Sequence, residues 1–325
     1  MLDIYLPIAQ TSINLLVLVF IGLASGLLSG LYGIGGGIIA VPIMILSGIP
    51  TPIAIATSLL QILAISSVNV IRNISSGNVK FNIGLKLGVF SIFGSLLGTK
   101  IFIILSKTEY FYTIIYFLYT LFIGYIAFIT IKDAVKSIKK YGLYKSEKVA
   151  KKAEYKPDKA FELNALNFEN FMSQFGVEPI VSKHHKKRKQ EKFLNGIKIA
   201  IAGFSIGIVS GILGVGGGFI TMPVIMYIFR QNIQVAAITS AFVAFITTMP
   251  ACIKQFIATD YIDPVLAISV CIFAAIGVRF GNQLAKVLPL NILKILFGTL
   301  LVSIAIQFAV KILIIGNNQY IISIL

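Results

Sequence analysis

Eight stretches of this chain stay apolar for about the length a helix needs to cross a bilayer, and none contains Asp, Glu or His. They cover roughly 12–32, 53–71, 82–105, 111–131, 196–213, 235–257, 264–288 and 291–315. A hydrocarbon core of about 30 Å takes about 20 helical residues, and every backbone N–H and C=O within it must be satisfied by the protein itself. The expected fold is therefore all-α and polytopic. Composition closes the soluble alternative: 57% of residues are hydrophobic and 12% charged, where a soluble domain carries roughly 25% charged residues. Two shorter apolar runs, Ile38–Leu46 and Phe219–Phe229, read as half-helices or re-entrant segments. The total is 8–10 membrane segments: eight full spans with two re-entrant helices, or ten crossings.

The chain repeats itself. Gly22, Gly26, Ser29, Gly30, Gly33, Gly35, Gly36, Gly37 and Pro42 recur as Gly203, Gly207, Ser210, Gly211, Gly214, Gly216, Gly217, Gly218 and Pro223 at a constant offset of 181. Thr57-Ser58 recurs as Thr239-Ser240 at 182, and Gly94 and Gly98 as Gly277 and Gly281 at 183. Identities in register over a whole half mark an internal duplication. The expected parts are a first transmembrane repeat over 1–132, a basic insertion over 133–195 and a second transmembrane repeat over 196–325. The apolar N-terminal run reads as structure rather than a cleaved leader, because it recurs inside the second half.

Charge orients the repeats. The net charge is +16, yet 16 of the 28 Lys and Arg residues and 8 of the 12 acidic ones lie between Lys132 and Lys192. By the positive-inside rule that loop is cytoplasmic. Alternation from it puts Arg72, Lys80, Arg230, Lys286 and Lys294 inside and Asp260 and Asp263 outside; Lys254 dissents. Each half then makes an odd number of crossings, so the repeats are expected to have inverted topology. Within the insertion, Phe168, Phe171, Met172 and Phe175 share one face of an expected amphipathic helix. The basic run over 183–192, with His184 and His185, suits anionic lipid headgroups. A chain whose charge is concentrated in one juxtamembrane loop is not a nucleic-acid binder.

The chemistry centres on Gly33, Gly35, Gly36 and Gly37 and their copies Gly214, Gly216, Gly217 and Gly218. Consecutive glycines at membrane depth unwind a helix, and the freed amides need a partner. The short helix that follows begins at those glycines, so its N-terminal amides and dipole favour an anion. Two copies related by an inverted two-fold would converge on one site. Gly22, Gly26 and Gly30, like Gly203, Gly207 and Gly211, are instead spaced for close helix packing. Thr57, Ser58, Thr239 and Ser240 can donate hydrogen bonds without adding negative charge, as an oxyanion ligand requires. Gln61, Ser66, Ser67, Asn69, Thr247 and Thr248 share those helices, and hydroxyls there can also bond the preceding turn of their own helix. Lys100 and Arg279 are possible charges along an anion path. The dinucleotide and phosphate-loop patterns fail: Ile38 stands at the last glycine place, and the lysine is missing. With no acid, base, metal or cofactor set in the spans, no enzyme, cofactor or metal is expected. Cys252 and Cys271 read as apolar fillers.

The segments Gly26 to Pro42 and Gly207 to Pro223 make the chain resemble the sulfite exporter TauE/SafE family of probable membrane transporter proteins. The second copy carries Met222-Pro223 where the first has Val41-Pro42. The resemblance spans both repeats and leaves out the insertion. It implies a multi-pass protein of the bacterial inner (cytoplasmic) membrane. The solute it implies is a small sulfur-containing anion such as sulfite or sulfoacetate. The function expected is secondary transport by alternating access. A passive anion channel of the same fold is the alternative, and a membrane adaptor recruiting partners through the basic loop is a more distant one.

Overall fold

A computed structural model describes residues 3–33, 35–74, 79–141, 188–229, 231, 233–284 and 290–322. It is a helical membrane protein. The helices are α1 (Leu15–Tyr32), α2 (Gly37–Leu46), α3 (Thr51–Ile74), α4 (Phe81–Leu105), α5 (Phe111–Tyr141), α6 (Arg188–Leu213), α7 (Gly218–Pro223), α8 (Ile233–Ala258), α9 (Pro264–Leu284) and α10 (Leu290–Ile322). Beyond Pro223, α7 widens into a π-helical turn over Val224–Ile228, at a residue that has no N–H for the ordinary ladder. Among the described residues, six helical segments are long and apolar enough to span a membrane: Thr51–Arg72, Phe81–Leu105, Phe111–Lys136, Gly196–Leu213, Val235–Ala258 and Pro264–Leu284. Leu15–Leu31, Gly37–Leu46 and Gly298–Leu313 are shorter apolar stretches. The helix expected around Phe168 to Phe175 lies outside the described residues, as do His184 and His185. Helix α6 opens at Arg188, inside the basic run.

The surface is inverted relative to that of a soluble protein. Along α4 the buried residues are Gly84, Gly88, Ser91, Gly94, Ser95, Gly98 and Thr99 with Leu87 and Phe102. Its exposed face is Phe81, Leu85, Val89, Phe90, Phe93, Leu97, Ile101 and Ile104. Helix α9 repeats this, exposing Ile268, Ile272, Ile276 and Phe280 and burying Ala274, Gly277 and Gly281. Small residues inside and large apolar ones outside are what close helix packing in lipid demands.

The chain forms two compact units. One holds α1–α4 and α6–α9, so it draws on both sequence repeats. Its helices pair across the repeats through glycine. A Cβ at Gly22 would land on Phe273, one at Gly26 on the Ala274 carbonyl and one at Gly30 on the Val278 carbonyl, so α1 lies parallel to α9. The second copies do the same: Gly203 abuts Leu87, Gly207 abuts Ser91 and Gly211 abuts Ser95, so α6 lies parallel to α4. Helices α3 and α8 pack between these pairs, with Ala56 and Leu59 near the start of α3 beside Ala251 and Cys252 near the end of α8.

The same unit carries an element that the all-α expectation does not contain. Asp3–Leu6 and Thr11–Asn14 form an antiparallel hairpin, β1 and β2. The Asp263 carboxylate fixes it, accepting from the N–H groups of Ile8 (2.8 Å) and Ala9 (3.2 Å) in the hairpin turn. The other carboxylate oxygen accepts from Val265 and Leu266, capping α9 at 3.0 and 3.1 Å.

The second unit is built on α5 and α10. Tyr119 stacks on Phe308 with centroids 5.5 Å apart, Tyr116 meets the same ring edge-on at 5.3 Å, and Gly298 admits Ile131.

Candidate functional site

Both glycine segments form breaks of one geometry. Helix α1 ends on Gly33 (φ +67°), whose N–H bonds the Ser29 carbonyl, and α6 ends on Gly214 (φ +62°), whose N–H bonds that of Ser210. Helices α2 and α7 restart from Gly36 (φ +73°) and Gly217 (φ +63°), preceded by Gly35 (φ +82°) and Gly216 (φ +77°). Side chains other than glycine rarely adopt these values. Successive left-handed residues turn the backbone sharply enough to open it just ahead of a helix N-terminus.

The two breaks lie side by side. Ile62, midway along α3, abuts Gly35, Gly37 and Gly216, and a Cβ on Gly37 would also approach the Gly214 carbonyl. Each break is tied by the serine of the opposite repeat. The Ser58 hydroxyl donates to the Gly214 carbonyl at 2.7 Å, and the Ser240 hydroxyl to the Gly33 carbonyl at 3.0 Å. Those carbonyls close α6 and α1, where helix-end oxygens lack ladder partners. Serine supplies the bond without charge.

The expected residues thus fall into distinct positions. The eight glycines are buried together with Thr57, Ser58, Thr239 and Ser240. Among the described residues no acceptor meets the amides of Gly35, Gly36 or Gly37, nor those of Gly216 and Gly217; the Gly218 amide bonds the Gly216 carbonyl at 2.7 Å. The Thr57 hydroxyl is buried without a hydrogen-bond partner among the described residues. Its copy Thr239 accepts from the Lys80 N–H at 3.1 Å, at the start of α4. Ser66, Ser67, Thr247 and Thr248 bond carbonyls three or four residues back in their own helices. Lys100 and Arg279 are exposed, unlike the glycines. Among the described residues, no three His, Cys, Asp or Glu side chains gather to hold a metal ion.

Sequence reasoning named Gln61 and Asn69 but missed Ser25 and the buried polar set these residues form on the first repeat. Gln61 donates through Nε2 to the Ser25 hydroxyl, which in turn donates to the Gly22 carbonyl. Asn69 donates to Ser29 at 3.3 Å. Ser25 also packs directly against Gly36. The available signal was asymmetry: Ser25 and Gln61 have no polar copies in the second half.

Comparison with known proteins agrees with this architecture. The family model described as sulfite exporter TauE/SafE matches residues 18–308. A Bacillus subtilis protein named probable membrane transporter protein YunE is 23% identical over 302 residues, covering 90% of this chain and 97% of its own. The probable membrane transporter protein MamO of Magnetospirillum gryphiswaldense is 34% identical over 115 residues, which are 33% of this chain and 18% of MamO. A probable membrane transporter protein of Haemophilus influenzae is 31% identical over 113 residues, 34% of this chain and 41% of its own. No solved structure matches. With paired glycine breaks in a helical membrane bundle and a family match running from α1 into α10, the chain belongs to the sulfite exporter TauE/SafE family.

Proposed function

We propose that the protein is a secondary transporter for a small anion of the sulfite or organosulfonate kind, bound between the two glycine breaks and moved by alternating access. The observation that carries this reading is the meeting of the breaks at Ile62, with amides on both sides that meet no acceptor among the described residues. Backbone amides of Gly35–Gly37 and of Gly216 and Gly217 serve as anion ligands, with the Thr57 and Thr239 hydroxyls beside them. Ser58 and Ser240, through the Gly214 and Gly33 carbonyls, hold each break in register with the opposite repeat. Lys100 and Arg279 act on the anion's approach. The sulfur-anion class comes from the family name. The parallel pairs α1/α9 and α6/α4, with the start of α3 beside the end of α8, support inverted repeats that rock about the breaks.

The protein resides in the bacterial cytoplasmic membrane with the 133–195 segment inside, facing anionic headgroups. A membrane potential that is negative inside then drives anion export by about 2.3 kcal/mol per charge per 100 mV.

The test is uptake of labelled sulfite and alkylsulfonates into proteoliposomes. Saturable flux is expected, with KM raised about tenfold or more by Thr57→Val, which removes a hydroxyl that bonds nothing else. The glycines are poorer probes: a side chain at Gly36 would collide with the Ser25 carbonyl and disturb packing as well as binding. Absence of flux for every anion from correctly inserted protein overturns the proposal. Step-like single-channel currents would replace the transporter with the channel.

A further inference from the structure

The two breaks share a backbone but not their surroundings. Gly36 packs against Ser25, and its copy Gly217 packs against Ile206, the residue 181 positions after Ser25. Gln61 stands on α3 where α8, at the offset of 182, has Val243. Gln61 and Val243 are both fully buried. One flank is therefore Ser25–Gln61 with Thr57 one turn away, and the other is Ile206–Val243 with Thr239 one turn away.

The polar flank has unmet hydrogen-bonding capacity. The Thr57 hydroxyl and Gln61 Oε1 are buried without partners among the described residues. Leaving such a group unpaired costs about 1–3 kcal/mol, and in a membrane bundle it points to a ligand. The Ser25–Gln61 pair can present either face. With the Ser25 proton on the Gly22 carbonyl, Gln61 gives one N–H to Ser25 and leaves its oxygen open. When the Ser25 proton turns to Gln61 Oε1, the amide turns over and offers its NH2 group to the break. Thr57, that NH2 group and the amides of Gly35–Gly37 then make a set of uncharged donors. The opposite flank sets Ile206 and Val243 where the first has Ser25 and Gln61, and its own polar groups are the Ser210 hydroxyl beside Gly217 and Thr239, which already accepts from the Lys80 N–H.

We infer that Ser25 and Gln61 against Ile206 and Val243 are the specificity-determining residues of the site, and that they select an anion with a short apolar tail over a bare inorganic oxyanion. The inference rests on the proposed site between the breaks. The anionic head meets the first break, and the tail lies against Ile206 and Val243. Burial of one methylene predicts a gain of roughly fourfold per carbon in kcat/KM.

The experiment measures flux into proteoliposomes of sulfite, methanesulfonate, ethanesulfonate and propanesulfonate. Wild type should prefer longer tails by that factor per carbon until the pocket fills. The variant Ile206→Ser with Val243→Gln should flatten the series, each kcat/KM taken relative to that of sulfite in the same variant, to within twofold. The milder Val243→Thr, nearly the same shape and so safe for folding, should lower the slope alone. Gln61→Leu should raise KM for every member without changing the slope. Equal kcat/KM for all four anions, or a slope that survives the Ile206 and Val243 variants, overturns this inference and leaves the transporter reading standing. No flux of any anion overturns both.

Discussion

A serine hydroxyl has one proton to give, and at Ser58 and Ser240 it is shared between a helix-end carbonyl of the opposite repeat and a carbonyl three residues back in its own helix. Replacing either with Ala should lower stability by about 1 kcal/mol, the net worth of a typical hydrogen bond, and by similar amounts because the ties are copies. Thermal unfolding in one detergent checks this, with Ser67→Ala as the reference. Ser67 bonds only a carbonyl in its own helix and should shift stability by less than about 0.5 kcal/mol. The Thr-Ser pairs were visible in sequence through their repetition. Which carbonyl each hydroxyl meets was not, since a carbonyl 156 residues away in the chain has no local signature. Gln61 showed as a polar residue in an apolar helix, but its bond to Ser25 depends on how α1 and α3 pack.

Among the elements, the breaks were legible because three consecutive glycines serve no ordinary helix. The hairpin was not. Four-residue strands beside a long apolar run give little periodicity, and its anchor is Asp263, more than 250 positions away. Asp263→Ala should release both the hairpin turn and the α9 cap. Hydrogen exchange at Ile8 and Ala9 should then rise by at least tenfold, and stability should fall by about 2 kcal/mol, as when a buried charge-assisted set is lost. Unchanged exchange at the turn would mean that Asp263 serves α9 alone. The glycine ridges give a contrasting pair. Gly207→Val would drive a side chain into the Ser91 carbonyl and should prevent a monodisperse protein. Gly124→Ala on α5 meets nothing within 4 Å and should be neutral or stabilising by up to about 1 kcal/mol.

At the scale of the whole molecule, sequence periodicity showed a duplication, whereas the compact units follow contacts rather than repeats. Each unit takes helices from both halves; in the first, the glycine faces of one half fit the helices of the other. Composition made the bundle legible; the pairing of α1 with α9 and α6 with α4 needed coordinates. Topology has its own test in cells, in a background with Cys252 and Cys271 replaced by Ala. Asp260 and Lys80 are both exposed. Asp260→Cys should react with an impermeant maleimide from outside, and Lys80→Cys only after permeabilisation. Labelling of both from one side would contradict the proposed crossings.

The central claim, that the two breaks form one anion site, is tested most directly at their amides. Protein labelled with 15N at its 28 glycines would be placed in lipid nanodiscs and titrated with sulfite and propanesulfonate, with break signals assigned by single substitutions. Gly35, Gly36, Gly37, Gly216 and Gly217 should shift together along one saturation curve, while Gly124 and Gly196 stay fixed. Saturable shifts confined to glycines outside the breaks, or two breaks titrating with separate affinities, would contradict it.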